Sequence, residues 1–143
     1  MRCFAFAGPL LPLDAHFAIG NFIADGIAGR TIEIKGDGTP VRSYMYPTDL
    51  VVWLWTILLR GEASRPYNVG SDQGVDLRKL ATMIGARCGV DVIVRSQPID
   101  GGPSHRYVPS TERARVELGL TSEVDLEAVI DRTVSWAKGG GVG

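Results

Sequence analysis

Short apolar segments recur along the chain, and those whose apolar residues run together or alternate predict β-strands. Residues 2–7 form an apolar and aromatic run that Gly8 and Pro9 end. Residues 31–35 alternate in polarity, and Gly36-Asp37-Gly38 predicts a tight turn after them. The predicted strands are residues 2–7, 31–35, 41–46, 66–69 and 90–94, with a short extended piece at 106–108.

Other segments place apolar residues three and four positions apart, which is the spacing of one helix face. Asp14, Asp76 and Asp125 stand where acidic caps or capping-box partners are expected. Gly29 and Gly89 stand where two of these helices are expected to end. The predicted helices are residues 14–29, 47–60, 76–89 and 111–118, and a last one from about 122 to 136.

The longest apolar run, residues 50–59, is too short for the roughly 20 residues that span a bilayer, so it predicts a buried helix. We expect Trp53, Trp55 and Trp136 to be packing residues on their helices. Residues 1–4 carry one charge and do not form a secretory signal. The sequence therefore predicts neither membrane association nor export.

Strands and helices alternate throughout, which predicts α/β layers. The chain opens on an apolar strand, and this suggests the later part of a longer architecture. We expect residues 1–138 to form one region and residues 139–143 to form a flexible Gly-rich tail.

The charge of the chain excludes broad classes of partner. It has 15 Lys and Arg against 16 Asp and Glu, a net charge of -1, which gives no long-range field to hold nucleic acid or an acidic membrane surface. Cys3 and Cys88 are far apart and only two histidines are present, which argues against a disulfide framework or a zinc cluster. These features favour a reducing, cytoplasmic location.

Motifs that carry chemistry are missing. Gly36-Asp37-Gly38 is followed by a predicted strand rather than a helix, so it is not a dinucleotide phosphate loop. None of Tyr44, Tyr46, Tyr67 and Tyr107 has a lysine four positions later, so no Tyr-x-x-x-Lys pair is available for proton transfer. An enzyme complete in this chain is therefore disfavoured.

The order of segments is informative in a different way. RCFAFAGP, TIEIKGDGTPVRSYMYPTD, RPYNVGS and RYVPSTERARVELGL follow one another along nearly the whole chain. This order resembles the C-terminal part of the extended short-chain dehydrogenase/reductases. Within them it is similar to the nucleotide-sugar epimerases, dehydratases and decarboxylases, dTDP-glucose 4,6-dehydratase-like proteins above all.

The resemblance implies an α/β, C-terminal substrate-binding part of an extended Rossmann-type fold, without the N-terminal nucleotide-binding half. In the intact family enzyme NAD takes a hydride from the sugar, and the Gly-rich NAD loop and Tyr-x-x-x-Lys pair lie in the N-terminal half. The expected partner is therefore a nucleoside diphosphate sugar, UDP- or dTDP-linked. No cofactor is expected on this chain alone.

The resemblance also suggests site residues. Arg42 matches the family arginine that contacts the substrate diphosphate, and a guanidinium offers a fork of donors to phosphate oxygens. Arg106 could reach the diphosphate or ribose, or lie on an exposed loop edge. Asn68 could reach the phosphates, brace the site, or cap local backbone.

Two further residues lie where the family meets the nucleotide. Lys35 replaces a common aromatic, so either its stem lies along the base or base recognition has changed. Phe17 lies near the start of a helix beside the nucleotide, or is simply core. The family's Asn and Tyr before Gly-Pro are Ala5 and Ala7 here, which removes one polar anchor.

Two functions follow from these expectations. The first is the nucleotide-sugar binding portion of an NAD-dependent dehydratase or epimerase, inactive by itself. The alternative is a non-catalytic interaction module, or half of a split enzyme, that docks to an N-terminal Rossmann half or to itself through open strand edges and apolar faces.

Overall fold

The computed structural model describes residues 1–13, 17–97 and 105–139. The predicted cap Asp14 and nearly all of the predicted tail lie outside these residues. Among the described helices, none combines the length and the apolar character needed to cross a membrane.

The described residues contain five helices, one within or close to each segment that the apolar periodicity predicts, although α1 begins at Ala18 rather than at residue 14. Asp76 caps the third through a 2.7 Å hydrogen bond from the Lys79 N–H, and Gly89 ends it at a left-handed φ of 72°. The last helix begins later than expected, because Asp125 is itself the cap and accepts from the Ala128 N–H at 2.8 Å. The helices are α1 (Ala18–Ile27), α2 (Pro47–Arg60), α3 (Leu77–Cys88), α4 (Glu112–Leu118) and α5 (Leu126–Lys138).

The strands among the described residues are short and form three small sheets. They are β1 (Arg2–Cys3), β2 (Ile32–Ile34), β3 (Val41–Arg42), β4 (Asn68–Val69), β5 (Val75–Asp76), β6 (Val92–Val94) and β7 (Arg106–Tyr107). β1 pairs with β4 and β2 with β6, both in parallel. β3 lies between antiparallel β5 and parallel β7. Each parallel pair joins segments far apart in sequence, so these sheets tie the chain together.

The predicted strands at residues 2–7 and 41–46 are largely irregular beyond their first residues. Beyond β1 and β3, the two segments are joined, among the described residues, by one isolated parallel bridge between Phe6 and Met45. The amide of Ala7 donates to the Met45 carbonyl at 3.1 Å, and the Met45 amide donates to the Ala5 carbonyl at 3.0 Å. This bridge holds residues 4–6 beside the chain that continues from β3.

The first apolar cluster is built around α1, α3 and α5. Ile23, Leu80, Ile84 and Ile130 are fully buried in it. Gly26 permits the close approach of α1 to α3, because a Cβ there would lie only 2.8 Å from the Cys88 sulfur. The helices cover β2, which buries Ile32 and Ile34 against them.

A second apolar cluster lies between α2, α4 and β4. Trp53, Tyr67, Val69 and Leu118 are buried there with Met45 and Ile57. The Trp53 indole N–H donates to the Thr121 carbonyl at 3.0 Å, so its one polar atom is satisfied. This cluster fixes α2 against β4 and the loop after α4.

Asp49 on the first turn of α2 has a structural role. Its carboxylate accepts from the N–H groups of Glu123 and Val124 at 3.0 and 3.1 Å. The Asp49 side chain is buried, and these two hydrogen bonds satisfy its carboxylate and tie α2 to the loop before α5.

The expectation that residues 50–59 form a buried helix is only half right. Trp53 on the inner face is 1% exposed, whereas Trp55 is 59% exposed, so the prediction that Trp55 packs in the core is wrong. Val51, Val52, Trp55, Leu58 and Leu59 are all exposed and share the outer side of α2. We call these five residues the outer face of α2. A helix that is apolar all round is normally covered on both sides, but the described residues cover only one.

Candidate nucleotide-sugar site

The register of β3 with β7 decides which side chains meet. Arg42 lies opposite Tyr107, and Val41 lies opposite Arg106. Because paired residues on parallel strands point to the same face and successive residues to opposite faces, Arg42 and Tyr107 share one face. Val41 and Arg106 share the other.

The face of Arg42 and Tyr107 opens on a cavity of about 590 Å³. Aromatic and aliphatic side chains make most of its wall, and Arg42 is its one charged residue among the described part of the chain. Its lining is Phe4, Ala5, Phe6, Leu11, Phe17, Ala18, Ile19, Arg42, Tyr44, Leu77 and Tyr107. We call it the Arg42 cavity.

Arg42 is positioned by backbone and not by an acid. One terminal guanidinium nitrogen donates to the carbonyls of Val41 at 2.9 Å and His105 at 2.8 Å. Within the described residues no carboxylate lies within 4.0 Å of it, in contrast to Arg30, Arg65 and Arg95, which pair with Asp or Glu. The half-buried guanidinium therefore has no acid partner among the described residues and keeps further N–H donors for an anion.

Tyr44 lies two residues beyond Arg42 and also lines the cavity. Burial raises the pKa of Tyr44 to about 12, although the charge of Arg42 acts in the opposite direction. The phenol therefore stays protonated at neutral pH and can donate a hydrogen bond.

The start of α1 forms another part of the cavity wall. Phe17 occupies the N-cap position, makes no side-chain cap and is 59% exposed, so it is not a core residue. Ala18 and Ile19 in the first helical turn line the cavity beside it. The structure thus brings Phe17 and Arg42, two of the sequence-predicted site residues, into one cavity, where the positive end of the α1 dipole adds to the guanidinium charge.

Lys35 lies in a neighbouring cavity of about 740 Å³ that is more polar. Asn21, Asp25, Arg30 and Glu33 line it together with the turn at Gly36-Asp37-Gly38. Ala18 and Leu77 border both this cavity and the Arg42 cavity. Lys35 is therefore adjacent to the Arg42 cavity and not inside it.

Asn68 lies in a third cavity, with Arg2, Ser110 and Glu117. Its side-chain amide donates to the Ser110 carbonyl at 2.9 Å and so braces the segment that leads into α4. The structure does not bring Asn68 to Arg42, so its role in ligand binding stays a prediction.

Arg106 is not brought to Arg42 either. Its guanidinium lies over Gly74, where an added Cβ would meet the two terminal nitrogens at 3.0 and 3.1 Å. It is exposed and absent from the lining of the Arg42 cavity. The physical reason is strand alternation, which turns Arg106 away and Tyr107 inward.

Sequence reasoning missed Tyr44 and Tyr107 as site residues. It examined both only as candidates for a Tyr-x-x-x-Lys pair. The alternation Arg42, Ser43, Tyr44 was a usable signal for Tyr44, since residues two apart on an extended segment share a face. Tyr107 had no such signal, because its orientation follows from the pairing of β7 with β3.

Ala5 also lines the Arg42 cavity. The resemblance placed a polar asparagine at this position in relatives, and the alanine leaves that part of the wall apolar. The polar side chains of the described wall are Arg42, Tyr44 and Tyr107.

The described residues do not fit the phosphate loop of a dinucleotide. Gly36-Asp37-Gly38 joins β2 to β3 as a turn, in which Asp37 accepts from the N–H and hydroxyl of Thr39 at 3.0 and 2.8 Å. A phosphate loop needs a helix N-terminus at that point. Across all the described residues, no group of three or more His, Cys, Asp or Glu side chains lies close enough together to bind a metal ion.

Comparison with known proteins agrees with this architecture. Residues 1–70 match the model of the NAD dependent epimerase/dehydratase family. The chain is 26% identical over 134 residues to UDP-glucuronic acid decarboxylase 1 of Arabidopsis thaliana, covering 94% of this chain and 31% of that protein. It is 29% identical over 119 residues to dTDP-glucose 4,6-dehydratase of Streptomyces griseus, covering 82% and 36%.

A solved structure shares the fold. The UDP-glucose 4-epimerase of Thermotoga maritima with UDP-glucose superposes with a TM-score of 0.84 at 22% identity, covering 97% of this chain and 45% of that one. This confirms the predicted class, an α/β part of a Rossmann-type epimerase/dehydratase fold. Residues 1–70, just under half of the chain, are similar to the NAD dependent epimerase/dehydratase family, and the chain spans about a third of the length of the curated relatives named above.

Proposed function

We propose that this chain forms the nucleotide-sugar binding portion of an NAD-dependent sugar-nucleotide dehydratase or epimerase. The observation that carries the proposal is the guanidinium of Arg42, which has no acid partner among the described residues and faces an aromatic cavity. A nucleoside diphosphate sugar combines an anion with rings, and this cavity offers a cation beside ring faces. The names of the relatives, which act on UDP- and dTDP-linked sugars, support the same ligand class.

Within this proposal residues 1–138 act as one substrate-binding region. The diphosphate lies against Arg42 and the start of α1, and Phe17 lies at the edge of the ligand. Lys35 borders the adjoining cavity, where its aliphatic stem can lie along part of the nucleotide. Asn68 and Arg106 contribute indirectly, because their side chains lie on other surfaces.

The chain is proposed to be inactive by itself. It has no Tyr-x-x-x-Lys pair, and its described glycines form no NAD loop. NAD is therefore expected to bind elsewhere in the intact enzyme. The two free cysteines match a reducing, cytoplasmic location, which is part of the same proposal.

Calorimetry of the purified chain with UDP, dTDP, UDP-glucose and dTDP-glucose tests the ligand. Arg42→Ala should weaken binding about 10- to 150-fold, the effect of losing a charged hydrogen bond of about 1.5–3 kcal/mol. Arg42→Lys keeps the positive charge but loses the paired N–H donors of the guanidinium, so its affinity should lie between those of wild type and Arg42→Ala. Asn68→Ala and Arg106→Ala should each weaken binding less than Arg42→Ala.

Two controls keep this test interpretable. Arg60→Ala removes an exposed arginine at the end of α2, outside the cavity, and should leave binding unchanged. Circular dichroism should show that Arg42→Ala still folds. Equal affinity of wild type and Arg42→Ala for UDP would remove Arg42 from the site, and added NAD should give no binding heat.

The outer face of α2 favours the second candidate, an interaction module or half of a split enzyme. Its five apolar residues are between 53% and 74% exposed in the described chain. β1 adds an open strand edge. The backbone N–H groups of Arg2 and Phe4 donate to the carbonyls of Tyr67 and Val69 on the β4 side, so the backbone N–H of Cys3, between them, points to the opposite edge. The proposed occupant is a Rossmann-type nucleotide-binding half, because the chain spans about a third of its relatives.

The mass of the chain in solution and its binding of UDP separate the two candidates. A monomer that binds UDP supports the substrate-binding portion. Oligomers that do not bind UDP support the interaction module, with a second copy on the outer face of α2 in place of the nucleotide-binding half.

A further inference from the structure

The outer edge of β6 has no strand partner among the described residues. β6 pairs on its other side with β2, in a sheet of two strands. The Asp91 carbonyl and the Arg95 N–H, at the two ends of β6, form hydrogen bonds of 2.9 Å with β2. Because backbone groups alternate in direction along a strand, those of Val92 and Val94 point to the outer edge. Such an edge is a template for pairing with another strand.

The side chains of this segment divide between the two faces of the sheet. Val92 and Val94 are partly buried against the first apolar cluster. Asp91, Ile93 and Arg95 are exposed on the opposite face, and Ile93 at the centre is 43% exposed. The exposed face therefore carries an apolar residue with an acid two positions before it and a base two positions after it.

This order of residues is complementary to itself in an antiparallel pair. With a two-fold axis at Ile93, Val92 of one copy lies opposite Val94 of the other, and the two exchange both backbone hydrogen bonds. The two Ile93 side chains then face each other in a non-hydrogen-bonded pair, where Cα atoms are only about 4.5 Å apart. In the same kind of pair, Asp91 of each copy lies opposite Arg95 of the other, and opposite charges in this position are stabilising.

Other pairings lack this complementarity. A two-fold pair of β2 strands would place Glu33, the exposed central residue of β2, directly opposite itself, and like charges there are destabilising. A shift of one residue in the β6 pair would put the helices of the two copies on different faces of the sheet. A shift of two residues would place Asp91 or Arg95 opposite Ile93 and break the charge pairs.

Arg95 can pair with an acid of each copy at once. Its Nε lies 2.9 Å from a Glu33 oxygen, and one terminal nitrogen donates to the other oxygen at 3.1 Å. The side chain is 57% exposed, so the N–H donors of the other terminal nitrogen remain for the Asp91 carboxylate of a second copy. Glu33 and Asp91 are balanced on this exposed side by Lys35 and Arg95, so no excess of like charge opposes the pairing.

We propose that the outer edge of β6 binds a second copy of this chain through a two-fold antiparallel pair of β6 strands, which joins two sheets of two strands into one of four. The occupant is a second copy because the charges of the edge complement themselves in this register. The paired segments are short, so the dimer is weak and forms as the concentration rises from about 10 µM to about 1 mM. It leaves the Arg42 cavity uncovered, since no residue of β6 lines that cavity.

Sedimentation velocity of the full chain across that range of concentration measures the association. Arg95→Asp and Asp91→Arg should each raise the dissociation constant of the dimer about tenfold or more, because each places like charges at both symmetry-related contacts. The two variants mixed together should recover a dimer, because each introduced acid then faces a base of the other variant. Native mass spectrometry identifies this mixed dimer by its mass.

Ile93→Lys is a second disrupting variant, which leaves the pair of Glu33 and Arg95 in place. It puts two ammonium groups opposite each other at the axis and should also raise the dissociation constant about tenfold or more. Val116→Lys is the matched control, since it replaces another exposed β-branched residue by lysine but lies on α4. It should leave the dissociation constant unchanged, and thermal melts should show that every variant folds.

Four outcomes would overturn the proposal. Wild type could stay monomeric at about 1 mM. Ile93→Lys could associate as strongly as wild type, or the mixture of Arg95→Asp and Asp91→Arg could stay monomeric. Finally, Trp55→Glu could dissociate a dimer that Ile93→Lys leaves intact, which would place the interface on the outer face of α2. None of these measurements involves UDP, so this proposal and the proposed function can fail independently.

Discussion

The two apolar clusters of this chain differ in how completely they are covered. The first, around α1, α3 and α5, encloses its large side chains on every side, with Ile23, Leu80 and Ile84 at zero exposure. The second buries Trp53 and Tyr67 under α2 but leaves Trp55, Leu58 and Leu59 on the far side of that helix in solvent. The helices around the first cluster are thus apolar mainly where they are buried, whereas α2 is apolar on its buried face and on its exposed face.

The two clusters contribute unequally to the wall of the Arg42 cavity. The Arg42 cavity takes Ile19, Tyr44 and Leu77 from the first cluster and its margin, and Phe6 from the margin of the second. Its floor is therefore supported mainly by the first cluster. We expect ligand binding to survive changes on the outer face of α2 and to be lost when the first cluster is disrupted.

The largest effect is expected from a cavity in the first cluster. Ile84→Ala should lower the free energy of unfolding by about 3 kcal/mol, because it removes buried methyl groups between α3 and its neighbours. Urea denaturation measures this loss. Leu58→Ala on the outer face of α2 is the control and should change the free energy by less than about 0.5 kcal/mol. Equal losses in the two variants would contradict the comparison.

A smaller, pH-dependent effect is expected at Tyr44, which is 8% exposed in the first cluster. Because its pKa is raised from 10.0 to about 12 in the folded chain, the folded state holds this proton more tightly than the unfolded state. Tyr44 thus adds stability that is complete below pH 10, and roughly 3 kcal/mol is lost as the pH rises from 10 to about 12.

Tyr44→Phe removes that ionisation. The free energy of unfolding of the variant, followed by denaturation at alkaline pH, should fall less steeply than that of wild type above pH 10. Parallel curves would show that the phenol is not effectively buried. Tyr107→Phe, whose ring is half-exposed, is the matched control and should follow wild type.

The smallest effect on stability is expected on the outer face of α2. Trp55→Glu should change the free energy of unfolding by less than about 0.5 kcal/mol, since the side chain makes few contacts within the described chain. If the outer face of α2 mediates association, the same variant should shift the mass in solution towards the monomer. An unaltered oligomer would place the interface elsewhere.

Local signals in the sequence accounted for the helices and much less well for the strands. Asp76 and Gly89 bound α3 as predicted, because a cap depends on the few residues around it. The strand predicted at residues 2–7 is paired regularly only at Arg2–Cys3, since pairing requires a partner strand that local pattern does not reveal. For the same reason β5, at Val75–Asp76, was not predicted.

In the candidate site, too, the sequence could suggest residues but could not show which of their side chains are free to bind a ligand. The resemblance to the family selected Arg42, which follows the Gly36-Asp37-Gly38 turn, and Phe17, which lies near the start of α1. Asn68 was chosen too, but its amide is committed to Ser110 across a loop that joins distant parts of the chain. Whether a polar side chain is free for a ligand depends on neighbours that are remote in sequence.

The sequence by itself determined both ends of α3, the turn before Arg42 and the absence of any block of like charge, because these depend on neighbouring residues and on composition. The tertiary structure decided that Tyr107 and not Arg106 faces the cavity. That choice follows from the parallel register of β7 with β3. The two strands are distant in sequence: His105, whose carbonyl accepts from Arg42, lies 63 residues after it. Side chains alternate along a strand, so only the pairing of distant segments fixes which of two neighbours points inward.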